Sequence, residues 1–431
     1  MFPEPVPWPS PTVPAGPEIS HQRDSACPLR YYSEAGYGTI HSQTSFSFLE
    51  DLSSAAYAVR GTVWLAPAAA EQKVPLRVGW SFAASEDLDT MGLRTRLSRD
   101  RLELLGPEPG HARSKVSCLS VAVSLSIKDD TVLEYLNLST TAADIRAVAS
   151  SSEFMRAAET WNISSTHIET RSGNIRLPYW NSRETVIKSH SGSVSGDYDL
   201  RDLLAISSWS GSVSISVHPD AADKERPRPA NLRVDSHSGS VKVNTNIVEP
   251  PDRDYRTKIL TDSASISGTY LFSTSASFKS SSGSITADLL PLISDYTSAA
   301  LYTEGGSSST NLHLLSPLRA SNALSYMLDS SHVSGSGSLH IEYPNEWEGT
   351  IEGKTGSGSI NLVGEDLKVH YATDHQILAR KGKGASEFRF RTGSGSANLR
   401  FGRKTGGASG VDRDGKEQSG CSWMDWVWWR C

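Results

Sequence analysis

From residue 171 onward one short pattern keeps returning: Ser-Gly-Ser or Ser-Gly-Asn, then Val or Ile, then alternating residues. The copies are Ser172-Gly-Asn-Ile175, Ser191-Gly-Ser-Val194, Ser210-Gly-Ser-Val213, Ser238-Gly-Ser-Val241, Ser263-Ala-Ser-Ile266 and Ser282-Gly-Ser-Ile285. A degenerate Ser307-Ser-Ser-Thr310 follows, then Ser336-Gly-Ser-Leu339, Ser357-Gly-Ser-Ile360 and Ser394-Gly-Ser-Ala397. Their central residues step by 19, 19, 28, 25, 19, 25, 29, 21 and 37. A period in this range is the sequence sign of a repeat array, in which a unit buries its apolar side only against its neighbours.

The chemistry of the copies favours a β-solenoid. Each reads as a tight corner followed by a strand. In Ser212-Val-Ser-Ile-Ser-Val217 the period of two sends Val213, Ile215 and Val217 to one side and the serines to the other. The glycine marks either a backbone position at φ > 0 or the close approach of a neighbouring coil. Ala264 and Ser308 stand in its place, so φ > 0 is not obligatory in every coil. A coil of about 25 residues at ~3.3 Å each has a perimeter of ~80 Å, which suits a flattened or three-sided turn of chain. Coils stacked ~4.8 Å apart would let serines form hydroxyl ladders. The extra residues of the long steps fall in charged or Pro-rich stretches, 219–229, 249–254 and 374–383, read as loops. The predicted fold is all-β: an elongated solenoid of stacked-strand coils of about 19–37 residues. A β-sandwich with Ser-rich hairpins is the alternative.

Three regions follow. Residues 1–37 are Pro- and Ser-rich and are read as disordered. Residues 38–402 form the β body. Within it, 38–170 is a front end without the repeat, and 171–402 carries the coils. In the front end, 56–65, 76–84, 116–127 and 132–139 read as strands, and 94–105 as an exposed strand pair. The stretch 153–159 is a short helix capped by Ser152 or, equally, a strand. Residues 403–431 are a flexible linker and a Trp-rich tail.

Composition narrows the function. The chain has 431 residues, 69 of them serine, with 21% charged residues and a net charge of −6. That balance argues against nucleic acid as a partner, since phosphate binding wants a concentrated basic surface. No run is long enough to be a transmembrane segment, and Met1–Pro17 lacks the features of a signal peptide, so the address is intracellular by default. Cys27, Cys118, Cys421 and Cys431 are too few and scattered for a disulfide framework. Without a C-x-x-C pair no metal site is expected, and no cofactor motif is present. Gly356-Ser-Gly358 and Gly393-Ser-Gly395 belong to the repeat and are not phosphate loops.

The repeat resembles known families. The serial Ser-Gly-Ser-Val/Ile coils resemble adhesin-like bacterial β-solenoids of unassigned function. They are more similar still to an uncharacterised fungal family built on the same coil. That resemblance rests on Tyr57-Ala-Val-Arg-Gly-Thr-Val63, Asp254-Tyr-Arg-Thr, Ser284-Ile-Thr-Ala-Asp-Leu-Leu-Pro291, Tyr343-Pro-Asn-Glu-Trp-Glu-Gly-Thr-Ile-Glu-Gly353 and Leu378-Ala-Arg-Lys-Gly-Lys-Gly384. It spans about 55–402 and leaves out both tails. It implies a stacked-strand solenoid with no known catalytic residues. The adhesin label comes from fold analogy.

Few residues carry chemistry. Asp197, Asp199 and Asp202 are the best candidates for a polysaccharide-active enzyme, which needs paired carboxylates ~5–9.5 Å apart. A solvated turn explains them as well. His190 and His237 each precede a serine, but adjacent strand residues point to opposite faces, so no Ser/His catalytic pair forms. The residues one place before the motif, Arg171, His190, Trp209 and His237, stack on successive coils in register and form a candidate ligand-stacking column. Their bland reading is packing at a corner. Asn137 and Asn162 begin two N-x-Ser sequons. In the tail, Trp423, Trp426, Trp428 and Trp429 suit a membrane interface or a partner surface. The expected function is a non-catalytic, adhesin-like binding or scaffold protein. It would use the long Ser-rich face to hold polysaccharide or another protein through many weak contacts. A β-helix enzyme acting on polysaccharide and a self-assembling structural protein are the alternatives.

Overall fold

The computed structural model describes residues 28–402 except 34, 41–43, 53–56, 107–116, 148–150, 247, 293–297 and 319–326. The Trp-rich tail, Cys27, Cys421 and Cys431 lie outside the described residues. Among the described residues no helix is long and apolar enough to cross a membrane.

Two long, mostly parallel sheets face each other across one apolar core. Each coil is a strand in one sheet, a sharp corner at the Ser-Gly motif, and a strand in the other. Asn162–Thr170, Glu184–Ser189, Leu203–Ser208 and Ala230–Ser236 stack in the first sheet. Ile175–Trp180, Val194–Leu200, Val213–Pro219 and Val241–Thr245 stack in the second. The solenoid is therefore flattened, with two sides. Alternation decides the packing: Val213, Ile215 and Val217 are buried, as are the matching residues of neighbouring strands.

The corner glycines answer to crowding. None of those in the Ser-Gly corners has φ > 0. A Cβ added to Gly192 would stand 1.8 Å from the Gly173 carbonyl oxygen, and one on Gly211 would stand 1.9 Å from that of Gly192. Just before each glycine lies a signal that the motif left out: a buried Ser or Thr two residues ahead of the first serine. Ser189, Ser208, Ser236, Thr261, Ser334, Thr355 and Thr392 each donate a hydroxyl proton to the carbonyl three residues on, tying strand to corner. Serine ladders form in places, with Ser284 donating to Ser265 and Ser359 to Ser396, both at 3.2 Å.

The front end continues the same stack. Ser45–Asp51 runs parallel to Val132–Thr140, and Tyr57–Pro67 lies parallel between Ser117–Ile127 and Ala143–Ala147. Short antiparallel strands then close both sheets: Tyr31–Tyr32 and Gly36–Ile40 on Leu76–Ala84, and Arg94–Leu97 on Arg101–Leu105. The stretch read as disordered to residue 37 thus ends earlier, because backbone pairing at a sheet edge orders a strand without much apolar burial. The ambiguous 153–159 stretch is a helix, Ser151–Thr160. It covers the side of the stack with Phe154 and Ala158, and Phe154 meets Trp161 edge-on at 5.4 Å. Cys118 is disulfide-bonded, where no disulfide framework was expected from the sequence.

A buried carboxylate starts the corner ladder. Corner amides of one coil normally donate to the coil before it, as Ser191 N–H does to Arg171 and Ser210 N–H to His190. At the first such corner Glu50, fully buried, takes this role. It accepts from the N–H groups of Thr141, Ala142 and Ala143 at 2.9, 3.1 and 3.4 Å.

At the far end the chain breaks its own order. Strand Ser386–Thr392 pairs with Met327–Ser334 on one side and Gly349–Thr355 on the other, and Ala397–Phe401 likewise sits between Leu339–Tyr343 and Ile360–Gly364. The last coil in sequence is thus inserted before the coil that precedes it. Part of the 374–383 stretch, read as a loop, is strand Gln376–Lys381. It is antiparallel to both Gly349–Thr355 and Leu367–Ala372. Two of the motifs behind the family resemblance, 343–353 and 378–384, build this turnback. Trp347 is buried, Glu348 accepts from the amides of Lys383 and Gly384, and buried Lys381 donates to the Asn345 carbonyl at 2.6 Å.

Candidate functional site

The column Arg171, His190, Trp209 and His237 lies along one edge of the solenoid, where strands of the first sheet enter the corner. Each residue follows the buried Ser or Thr anchor, so its side chain leaves the core at the same height on every coil. His190 and Trp209 are stacked with centroids 5.9 Å apart and planes 8° apart; Trp209 and His237 are stacked at 4.2 Å and 17°. The coil spacing of ~4.8 Å sets this ladder. It also covers both faces of the indole, so a ligand meets ring edges there. Trp209 is nevertheless 54% exposed.

Asp262, on the next coil, hydrogen-bonds His237 and continues the column beyond the four residues singled out from the sequence. Beside it runs a second column, two residues earlier on each strand and just ahead of the buried anchor: Glu169, Lys188, Ser207, Asp235 and Leu260. Arg233 reaches Asp235 at 2.7 Å. Together the columns line an open groove of about 810 Å³. Aligning the repeats on their buried Ser/Thr would have exposed both columns. The Ser-Gly triplet alone marks only one.

Asp197, Asp199 and Asp202 sit at the opposite edge and serve the fold. Asp202 is buried and paired with both Arg183 and Arg253. Arg183 also reaches Asp223 and the Arg226 carbonyl, and Arg253 the Asp220 carbonyl, so this carboxylate pins the 219–229 and 249–254 loops to the body. Asp199 accepts from the Tyr179 hydroxyl. Burial raises its carboxyl above the usual range, and the Tyr179 hydrogen bond partly opposes that. Burial, then the hydrogen bond to Asp199, raise the Tyr179 phenol. Asp197 shares the Val194–Leu200 strand with Asp199 and is less buried than Asp199 or Asp202. Two of three carboxylates are thus committed to neighbours.

No group of three or more His, Cys, Asp or Glu able to hold a metal ion occurs among the described residues. Of the sequons, Asn137 is half-buried and donates to the Ser47 hydroxyl at 3.0 Å, while Asn162 is exposed at a strand start.

Fold and groove define an all-β solenoid with a side-chain-lined channel along one edge. No protein-family model matches the chain, and no curated protein matches it. Among solved structures it is similar to a "putative cell adhesion protein" from Clostridium sporogenes, with 9% identity over 85% of this chain and 98% of the other and a TM-score of 0.15. It is also similar to a "putative adhesin" from Parabacteroides distasonis, with 7% identity over 86% and 97% and a TM-score of 0.27. With likenesses this loose, a functional reading rests on the chain's own groove.

Proposed function

We propose that the chain is a non-catalytic, adhesin-like binding protein that holds a repetitive, hydroxyl-rich polymer in the edge groove. One observation carries this reading: the groove is lined by stacked rings and by charges of both signs, at a spacing fixed by the coils. Arg171, Lys188 and Arg233 supply donors, and Glu169 and Asp235 supply acceptors. A polysaccharide offers both partners along its length, and repeated weak contacts multiply when they are linked. The edges of His190, Trp209 and His237 give apolar contact without closing over the ligand. The Cys118 disulfide favours an oxidising compartment, hence a role at or beyond the secretory path in place of the default intracellular address.

The test is binding of purified chain to soluble and wall polysaccharides, followed by calorimetry. Trp209→Ala is expected to weaken binding at least tenfold, while shifting stability by less than about 1 kcal/mol because the ring is more than half exposed. Unchanged binding by this variant would remove the groove from the reading. Release of reducing sugar by the wild-type chain would overturn the non-catalytic assignment.

A further inference from the structure

The charges of the edge groove are not equally free to meet a ligand. Its acids have partners inside the protein. Asp235 holds Arg233 at 2.7 Å. Asp262 holds the His237 ring. Glu169 bonds His167 at 3.4 Å, two residues back on its own strand, which draws its carboxylate from the corner towards the middle of the sheet face. Each acid keeps lone pairs for a sugar hydroxyl, but each already has a neighbour to satisfy.

Two of the bases differ. Among the described residues Arg171 and Lys188 form no ion pair, and both are exposed. They sit on neighbouring coils at the front end of the groove, Arg171 just after the buried Thr170 and Lys188 just before the buried Ser189, which are in register. Around them negative charge is sparse. Lys188 stands in register with Glu169 and Ser207. Arg171 stands between Thr141 and His190 on the coils before and after. Glu50 is buried and already accepts from the Thr141 hydroxyl and three corner amides. The His190 ring, stacked on Trp209, makes no side-chain hydrogen bond among the described residues. A guanidinium, an ammonium and an imidazole thus gather at one end of an open channel of about 810 Å³.

Building on the reading of the groove as a polymer site, we infer that the polymer is acidic, with carboxylate or sulfate groups along its length, and that Arg171 and Lys188 hold one such group at the front end. The guanidinium fork matches either oxyanion through two parallel N–H···O bonds, and the ammonium adds a point charge. A neutral polysaccharide offers these cations only hydroxyls, which are weaker acceptors than an ionised oxygen. The rest of the polymer then runs rearward past the edges of His190, Trp209 and His237. Loose attraction is not the source of such a preference. The chain carries a net charge of −6, which repels a polyanion at long range, so the selection has to come from the local cluster.

Polymers of one backbone that differ in charge test this. Polygalacturonate is compared with its methyl ester, and dextran sulfate with dextran, by calorimetry on the full chain. At least one charged form is expected to bind about tenfold or more tightly than its neutral counterpart at low salt, with the preference shrinking as salt rises. The pair that shows the preference identifies the oxyanion. The double variant Arg171→Gln with Lys188→Gln is expected to cut the preference to about twofold or less. Its thermal melt should match that of the wild type, because neither side chain is paired or buried. Equal binding of charged and neutral forms overturns the inference and leaves the groove a site for neutral polymer. A preference that survives in the double variant puts the anion elsewhere and overturns it as well. Binding of none of the four polymers overturns it together with the reading of the groove.

Discussion

The front and rear coils share one corner but use it differently. In the coils from Arg171 to Asp262, the residue after the buried Ser/Thr anchor carries a side chain and builds the groove wall. In the rear coils the same position is Gly306, Gly335, Gly356 or Gly393. None of these has φ > 0, so torsional freedom does not explain them. Crowding does. A Cβ on Gly335 would stand 2.4 Å from the Gly306 carbonyl oxygen, and one on Gly306 would stand 2.0 Å from that of Ser281. In the rear, therefore, coils approach through backbone at this position, whereas in the front they leave room for a column of side chains. One repeat supplies a binding edge in one half and tight stacking in the other.

The contrast can be broken most severely by exchanging the two solutions. Gly335→His is expected to cost about 4–5 kcal/mol or prevent folding, because backbone and not a flexible side chain stands in the way. His237→Gly, the reverse exchange, should cost under about 1 kcal/mol at its exposed site. Denaturant titration of the two variants decides; equal costs would erase the distinction.

Removing the start of the ladder comes next. Glu50→Ala leaves three corner amides and the Thr141 hydroxyl without their acceptor, at a cost of about 3 kcal/mol. Hydrogen exchange should show the loss concentrated in the front coils around Thr141, with the rear coils unaffected, as expected for a stack coupled between neighbours.

Acid should strike the opposite end. His332 is buried between the Thr303 hydroxyl and Tyr343, and burial lowers its pKa to about 3. The unfolded chain, with an ordinary histidine near 6.5, binds the proton more readily. Stability is thus fully present above about pH 6.5 and falls as the pH drops towards 3, by about 2 kcal/mol at pH 5. Exchange at pH 5 and 7 should show the rear strands around His332 loosening first. His332→Phe should remove most of that dependence.

The smallest effect concerns the anchor itself. Ser208→Ala removes the hydroxyl that holds the Gly211 carbonyl and should cost about 1–2 kcal/mol. The rear coil that has Gly305 at this position does without such a bond, so Gly305→Ala should cost far less, as its added Cβ meets nothing closer than 3.2 Å. Thermal melts of the pair compare the two corners directly.

The sequence by itself determined the local unit: a corner at each Ser-Gly triplet and a strand of alternating burial after it. These follow from neighbours in the chain, since period-two patterning and turn chemistry act over a few residues. It also placed Arg171, His190, Trp209 and His237 on one line, because equal spacing from a repeated motif implies equal height on the stack. Other features needed the tertiary structure. The mutual stacking of those rings depends on coil separation. The engagement of Asp202 by Arg183 and Arg253 joins residues from three different coils. The insertion of Ser386–Phe401 ahead of Gly349–Gly364 rests on how sheet edges match in register, which local spacing does not encode. Every coil carries nearly the same edge, so which coil pairs with which is settled by long-range contacts such as those of Trp347, Glu348 and Lys381.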